Sequence, residues 1–97
     1  MAMERDNEMM ERGAKAIREL FDVDVRDRCR VRKVADLRAV FCYRMRVSGL
    51  SLVDIGRFLG INHSTVHHNY RKVADAFEYP LMYQDLLEMY SRFDSAM

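Results

Sequence analysis

The chain has few of the features that place a protein in a membrane, outside the cell or around a metal ion. No apolar run approaches the roughly 20 residues that cross a bilayer, and residues 1–6 lack the apolar stretch of a signal peptide. Cys29 and Cys42 are the only cysteines, and they form no Cys-x-x-Cys pair, so reduced thiols fit better than disulfides or a closed zinc site. We therefore expect a cytoplasmic protein that makes no use of a membrane.

The chain is also short. Its 97 residues hold a single domain, residues 1–97, and leave no room for a catalytic domain beside a binding domain. An enzyme with a small-molecule substrate is therefore not expected. The hydrophobic share of 49% and the charged share of 32% are typical of a globular protein, so the chain should fold unaided.

The net charge of +1 conceals a strong segregation of charge along the chain. Residues 1–25 have a net charge of −3 and residues 74–97 a net charge of −4. Residues 26–46 carry eight basic and two acidic side chains, for a net charge of +6, and residues 47–73 add +2. This pattern favours one surface that faces a polyanion, backed by a neutralising scaffold. A solvated charged face is the plainer alternative.

The apolar spacing predicts an all-α fold, a compact five-helix bundle without internal repeats. The first helix, about residues 7–21, places Met10, Ala14, Ile17 and Phe21 on one stripe. Residues 22–33 fit a strand, a short helix or an extended loop, and we predict a basic loop over residues 26–33. A central helix follows over residues 34–47, with Val34, Leu37, Val40, Phe41, Met45 and Val47 at helical spacing.

The end of the chain is predicted to form three further helices. Ser51 and Asp54 have the spacing of a capping box that opens a short helix ending at Leu59, and Asn62 caps the next helix, residues 63–78. The inward stripe of that helix is expected to be Val66, Tyr70, Val73 and Phe77. Pro80 can occupy the first turn of a last helix, residues 80–94, whose apolar face is Met82, Leu86, Met89, Tyr90 and Phe93.

Residues 51–78 have the form of a helix-turn-helix. Such a motif needs a small residue inside its first helix, commonly a glycine in the turn, and apolar residues that hold the two helices together. Gly56 and Gly60 meet the first two demands. The apolar contacts are supplied by Ile55, Leu59, Ile61 and Val66.

In a motif of this kind the start of the second helix enters the major groove of DNA. His63, Ser64 and Thr65 stand there, and short polar side chains can reach base edges. With Val66, Tyr70 and Val73 facing inward, we expect Ser64, Thr65, His68 and Lys72 to face outward, with Arg71 at the margin. The amides of Leu52 and Val53, at the start of the first helix, can bind a phosphate.

The stretch from Leu50 to Val73 resembles the C-terminal DNA-binding domain of the bacterial replication initiator DnaA. That family's signature reads S-L-x-E-I-G, then F-G-G-x-D-H-[ST]-[ST]-V, then a histidine two residues on, and R-K-I. The matching residues are Ser51, Leu52, Ile55, Gly56, Gly60, His63, Ser64, Thr65, Val66, His68, Arg71 and Lys72, with Asp54 and Val73 matching in type. With the basic loop and the central helix, the resemblance covers about residues 22–74.

The resemblance implies a Trp-repressor-like helix-turn-helix fold and binding to double-stranded DNA at a DnaA-box-like sequence. It also implies that His63, Ser64 and Thr65 read bases in the major groove, and that one arginine of the basic loop, Arg28, Arg30 or Arg32, enters the minor groove. The complete predicted DNA-binding set is Arg28, Arg30, Arg32, Lys33, Arg38, Ser51, Leu52, Val53, Asn62, His63, Ser64, Thr65, His68, Arg71 and Lys72.

Two departures from the family pattern concern the specificity of binding. The turn is one residue shorter, and Asn62 replaces an aspartate that helps the family to read its site. The ATP-binding sequence G-x-x-x-x-G-K-[ST] does not occur in these residues. We therefore expect a stand-alone relative, of a kind carried by a phage or mobile element, that acts in replication initiation or its regulation.

A few residues also fit other functions. His63 and His67 have a spacing that can hold zinc, with His68 beside them, but no carboxylate or cysteine is close in sequence, so neither a metal nor another cofactor is expected. No nucleophile and base pattern is evident. The rival functions are a transcription regulator of other specificity and a protein-interaction module or homodimer that uses the C-terminal helix and the eight methionines.

Overall fold

The computed structural model describes residues 2–97, and side chains from Glu4 onward. Over this range the chain forms five helices and no strand: α1 (Ala2–Phe21), α2 (Arg32–Val47), α3 (Leu52–Leu59), α4 (His63–Glu78) and α5 (Gln84–Ala96). The predicted all-α fold is confirmed. No helix in the described residues is long and apolar enough to cross a membrane.

Helix α2 is the centre of the molecule, and every other helix packs against it. Leu37, Val40, Phe41 and Met45 are fully buried, as their spacing predicts, whereas Val47 is exposed in the last turn. The predicted stripe of α1 is also buried, and it contains Met10, Ala14, Ile17 and Phe21. Helix α1 begins at Ala2 rather than near residue 7, so its first turns precede the part that packs on the core.

The segment between α1 and α2 is a loop, but it is shorter than predicted. Val31 precedes the first helical residue, and the amide of Ala35 donates to its carbonyl, so Arg32 and Lys33 belong to the first turn of α2 rather than to a loop over residues 26–33. Asp24 and Asp27 shape the loop, because their carboxylates accept from the amides of Arg26 and Cys29. Val25, which is fully buried, anchors the loop to the core.

The beginning of α5 corrects the prediction for residues 80–94. Pro80 lies in a turn, where the amides of Met82 and Tyr83 donate to the carbonyls of Tyr79 and Pro80, and α5 begins only at Gln84. Proline suits the second position of such a turn because its φ is already near −65°. Met82 is consequently exposed instead of facing the core, while Leu86 and Phe93 are buried as predicted.

An aromatic cluster joins α2, α4 and α5, and it explains a second correction. Phe77 was predicted to face inward, yet it is about half exposed. It packs at the edge of the core, with ring centroids 5.4 Å from Tyr43 and 5.3 Å from Tyr90. Tyr70 stacks on the other side of Tyr43 at 5.3 Å. The predicted apolar stripe of α4 is therefore fully buried at Val66 and Val73, partly buried at Tyr70 and about half exposed at Phe77.

Candidate nucleic-acid interface

Helices α3 and α4 form a helix-turn-helix, and both predicted N-caps are made. The hydroxyl oxygen of Ser51 accepts from the amide of Asp54 at 3.1 Å, which satisfies one of the free N–H groups at the start of α3. The amide oxygen of Asn62 accepts from the backbone N–H and the hydroxyl of Ser64, both at 2.9 Å. The starts of both helices are thus set by side chains that lie within two or three residues of the bonded groups.

The two helices approach each other at Gly56. A Cβ atom at this position would lie 2.6 Å from the carbonyl oxygen of Ile61 in the turn and in ordinary contact, at 3.6 Å, with the Val66 side chain of α4, so only glycine fits without moving the turn. The amide of Ile61 donates to the carbonyl of Gly56 at 2.9 Å. Gly60 ends α3 in the left-handed region, with φ of 72°, as a tight turn requires.

The basic loop lies against this turn. Arg28 reaches Gly60, since a Cβ atom added to Gly60 would lie 3.7 Å from a guanidinium nitrogen of Arg28. A groove of about 280 Å³ lies between the loop and the turn, and its lining residues are Arg26, Asp27, Arg28, Arg30, Arg38, Leu59, Gly60 and Ile61. The structure therefore brings Arg28 and Arg30, both exposed, to the same side of the molecule as the turn.

Two arginines near this groove are already engaged by the protein. Arg38 is half-buried and donates to the carbonyl of Asp27, which ties α2 to the loop. Arg26 lies 4.6 Å over the ring of Phe58 and 3.7 Å from the carboxylate of Glu11. Their charges add to the local potential, but their side chains are held in the scaffold.

The first two turns of α4 present a polar exposed face. His63, Ser64 and Thr65 are exposed at the start of the helix, and His68 and Arg71 are exposed one and two turns further on. Val66, fully buried, holds the opposite side against the core. Asn62 is exposed beside them, so its amide nitrogen can donate outward while its oxygen caps the helix.

His67 was not among the predicted site residues, although it is exposed on the same turns of α4 and its ring stacks on that of Tyr70 at 6.2 Å. Helical spacing was the signal that could have found it. Position 67 lies three residues after Ser64 and four before Arg71, and such positions share a face.

Lys72 lies less outward than expected. Its ammonium nitrogen is 2.7 Å from a carboxylate oxygen of Asp36 on α2, and the Asp36 side chain is only 18% exposed. Arg32 lies 3.8 Å from the other oxygen of the same carboxylate and is almost fully exposed. Asp36 therefore ties α4 to the beginning of α2 and neutralises part of the basic charge there.

Lys33 is separated from the other predicted residues. It lines a shallow cavity of about 500 Å³ between α1 and α5 together with the carboxylates of Glu19, Asp22, Asp85 and Glu88. Those acidic groups offset its charge, and the cavity is distinct from the groove beside the turn. Arg32 also lines a different groove, which it shares with Lys72 and the residues before α5.

The start of α3 offers backbone amides. Ser51 and Val53 are exposed there, while the side chain of Leu52 packs partly into the core. The first backbone bond of this helix runs from the amide of Ile55 to Ser51, so the amides of Leu52 and Val53 precede it and point out of the helix end. Such amides, together with the helix dipole, suit a phosphate oxygen.

Two further features concern reactivity: the state of the Cys42 thiol and the arrangement of possible metal ligands. Cys42 is fully buried, and burial raises the pKa of its thiol to about 12 despite the opposing effects of Arg38 and a hydrogen bond with Asn69. No three histidine, cysteine or acidic side chains between Glu4 and Met97 are grouped so as to hold a metal ion.

The family comparison agrees with this geometry. The family model described as the bacterial dnaA protein helix-turn-helix matches residues 14–73, which cover the last eight residues of α1, the loop, α2, α3 and the first part of α4. Comparison with curated proteins and with solved structures gave no match. Because the matched region is more than half of the chain and includes the entire turn and both of its caps, the chain belongs to the bacterial DnaA helix-turn-helix family, a family of double-stranded DNA-binding domains.

Proposed function

We propose that this protein recognises a specific duplex sequence related to the DnaA box, with the start of α4 in the major groove and the basic loop in the adjacent minor groove. The observation that supports the proposal most is the position of Arg28 against Gly60. It places flexible cationic side chains beside the turn from which α4 projects its polar face. A narrow minor groove next to the reading helix would meet these arginines.

The polar residues at the start of α4 can make two kinds of contact with DNA. Thr65 can meet a base edge or a thymine methyl, while His63 and Ser64 can donate to bases or phosphates. Asn62 keeps its amide nitrogen available, and a donor at this position favours a different base from the aspartate of the family. The preferred site therefore differs from the family box at the position that Asn62 faces.

The cellular role that fits this activity is initiation of replication or its regulation, in the cytoplasm. A DNA-binding protein of this type suits a phage or mobile element. We propose a binding module and no catalytic activity.

The test is selection of bound sequences from random duplexes, followed by affinity measurements on the selected site, the DnaA box and a scrambled duplex. Thr65→Ala should weaken binding to the selected site by about 1–3 kcal/mol and flatten the preference at one base position. Ser95→Ala, an equally simple change on the exposed face of α5, should leave the site and the affinity unchanged.

The outcomes separate the candidate functions. Recovery of the parent motif by the Thr65 variant would show that α4 is not the reader. A selected motif unrelated to the DnaA box would favour a transcription regulator of other specificity. Equal affinity for all duplexes would contradict specific recognition altogether.

A further inference from the structure

Exposed apolar side chains are concentrated in one short stretch of the chain. Between Glu4 and Met97, nine large hydrophobic residues are exposed, and five of them lie within residues 77–83. Leu81 and Met82 are the most exposed of all, at 85% and 74%. Contiguous apolar surface of this kind commonly marks an interaction site, whereas scattered exposed residues do not.

The last three residues of the stretch, Leu81, Met82 and Tyr83, line a groove between the start of α2, the second half of α4 and the start of α5. The groove has a volume of about 320 Å³, and Leu81, Met82, Tyr83 and Leu86 supply its apolar lining. The α4 residue that lines the groove is Lys72, so the groove begins roughly 14 Å along the helix from His63. A partner in this groove would leave the start of α4 free.

We propose that this groove, together with residues 77–83, is the contact surface between two copies of the protein. The lining of the groove carries charges of both signs, among them Arg32 and Asp85. A two-fold axis through the apolar residues brings the arginine of each copy to the aspartate of its partner, because a two-fold contact uses the same patch twice. The surface is thus complementary to itself.

The charge of Arg32 is available for such a contact. Its nearest carboxylate within the chain is that of Asp36 at 3.8 Å, and Asp36 is already held by Lys72 at 2.7 Å. Arg32 itself is 95% exposed. A carboxylate from a second copy would therefore meet a cation that the chain neutralises only in part.

The area of the patch sets the strength of the dimer. Large apolar and aromatic side chains each have about 150–250 Å² to bury, so the exposed parts of residues 77–83 supply on the order of 500 Å² per copy. A standard specific interface buries about 800 Å² per partner. The dimer is accordingly weak in free solution and is favoured when two copies bind neighbouring DNA sites.

Sedimentation in the absence of DNA tests the proposal independently of the DNA-binding function. As concentration rises from about 1 µM to about 1 mM, the mass should increase from 11.5 kDa toward twice that value. The double variant Leu81→Gln/Met82→Gln should dimerise at least about tenfold more weakly with an unchanged melting temperature, since both side chains are exposed. The control Val47→Gln alters another exposed apolar residue, outside the groove, and should dimerise like the parent.

Charge-reversal variants test whether a second copy of the protein occupies the groove. Arg32→Asp and Asp85→Arg should each weaken dimerisation by about two- to tenfold, and the combined variant should recover the parent value because the pair is restored across the interface. A parent that remains monomeric throughout the concentration range overturns the proposal, including the case in which the groove binds a different protein. A dimer that the Leu81→Gln/Met82→Gln variant leaves intact, or that the combined reversal fails to restore, overturns it as well.

Discussion

At the scale of single residues, the two cysteines differ in environment and should differ in reactivity. Cys42 is fully buried, and its pKa of about 12 keeps it as the neutral thiol, which is a poor nucleophile. Cys29 is partly exposed in the loop. At pH 8, iodoacetamide should therefore label the native protein once, at Cys29, and the denatured protein twice, as mass spectrometry can measure. Rapid double labelling of the native protein would contradict the packing around Cys42.

The raised pKa of Cys42 also gives a direction for the pH dependence of stability. The fold favours the protonated thiol, so its contribution is complete below the ordinary thiol pKa of 9.0. It is lost as the pH rises from there toward about 12, since the unfolded chain ionises first. The Cys42→Ala variant should show a weaker decline over the same alkaline range.

The ion pair between Asp36 and Lys72 engages one cation that helical spacing predicts to face DNA. Asp36→Asn should free the Lys72 ammonium to bind a phosphate, so the slope of log K against log salt should become steeper by about one. Asp94→Asn breaks a comparable pair with Arg44, 2.8 Å long and remote from the interface, and should not change the slope. An unchanged slope in Asp36→Asn would mean that Lys72 does not reach DNA.

At the scale of elements, the turn between α3 and α4 depends on a left-handed residue. Gly60→Val should lower the free energy of unfolding by about 1–3 kcal/mol, because a branched side chain is strained at a φ of 72°. Gly60→Asn serves as the control, since asparagine tolerates this region. Thermal unfolding should show a drop of roughly 4–8 °C per kcal/mol for the valine variant. Equal melting temperatures for both variants would place the strain elsewhere.

The elements that the sequence predicts correctly are those whose signals are local. The stripe of α1 repeats every three or four residues, and the caps Ser51 and Asn62 bond amides two or three residues away. The start of α5 was missed because Pro80 fits both a first helical turn and the second position of a tight turn. Arg32 and Lys33 were assigned to a loop because helices are recognised from the spacing of apolar residues, and these two residues are charged.

Within the interface, the side chains that face outward at the start of α4 follow from helical spacing alone. The position of Lys72 could not be predicted in the same way, since its partner Asp36 is 36 residues earlier and meets it only after α2 and α4 have packed. The separation of Lys33 from Arg28 and Arg30 also depends on how the helices pack. Helices α1 and α5 bring carboxylates to the side of α2 that carries Lys33.

At the scale of the whole molecule, the loop arginines and the exposed face of α4 should dominate the salt dependence of binding. With about 4–6 phosphate contacts, the slope of log K against log salt should be about −4 to −5. Arg28→Ala/Arg30→Ala should weaken binding to every duplex and reduce this slope by up to about two. Lys33→Ala, which removes a cation flanked by carboxylates, should have little effect. A slope near zero for the parent protein would show that phosphate contacts do not contribute to binding.

The close fit of the turn against Gly56 governs how the molecule adapts to DNA. There is no space for an added carbon between Gly56 of α3 and the carbonyl oxygen of Ile61 in the turn, so we expect α3, the turn and α4 to move as one piece. Adjustment to a bent or narrowed duplex must therefore come from residues 22–31, which are anchored by Val25 and two short turns. Helix α4 enters the major groove already ordered. The entropic penalty of association falls on the basic loop, which becomes ordered after the first encounter.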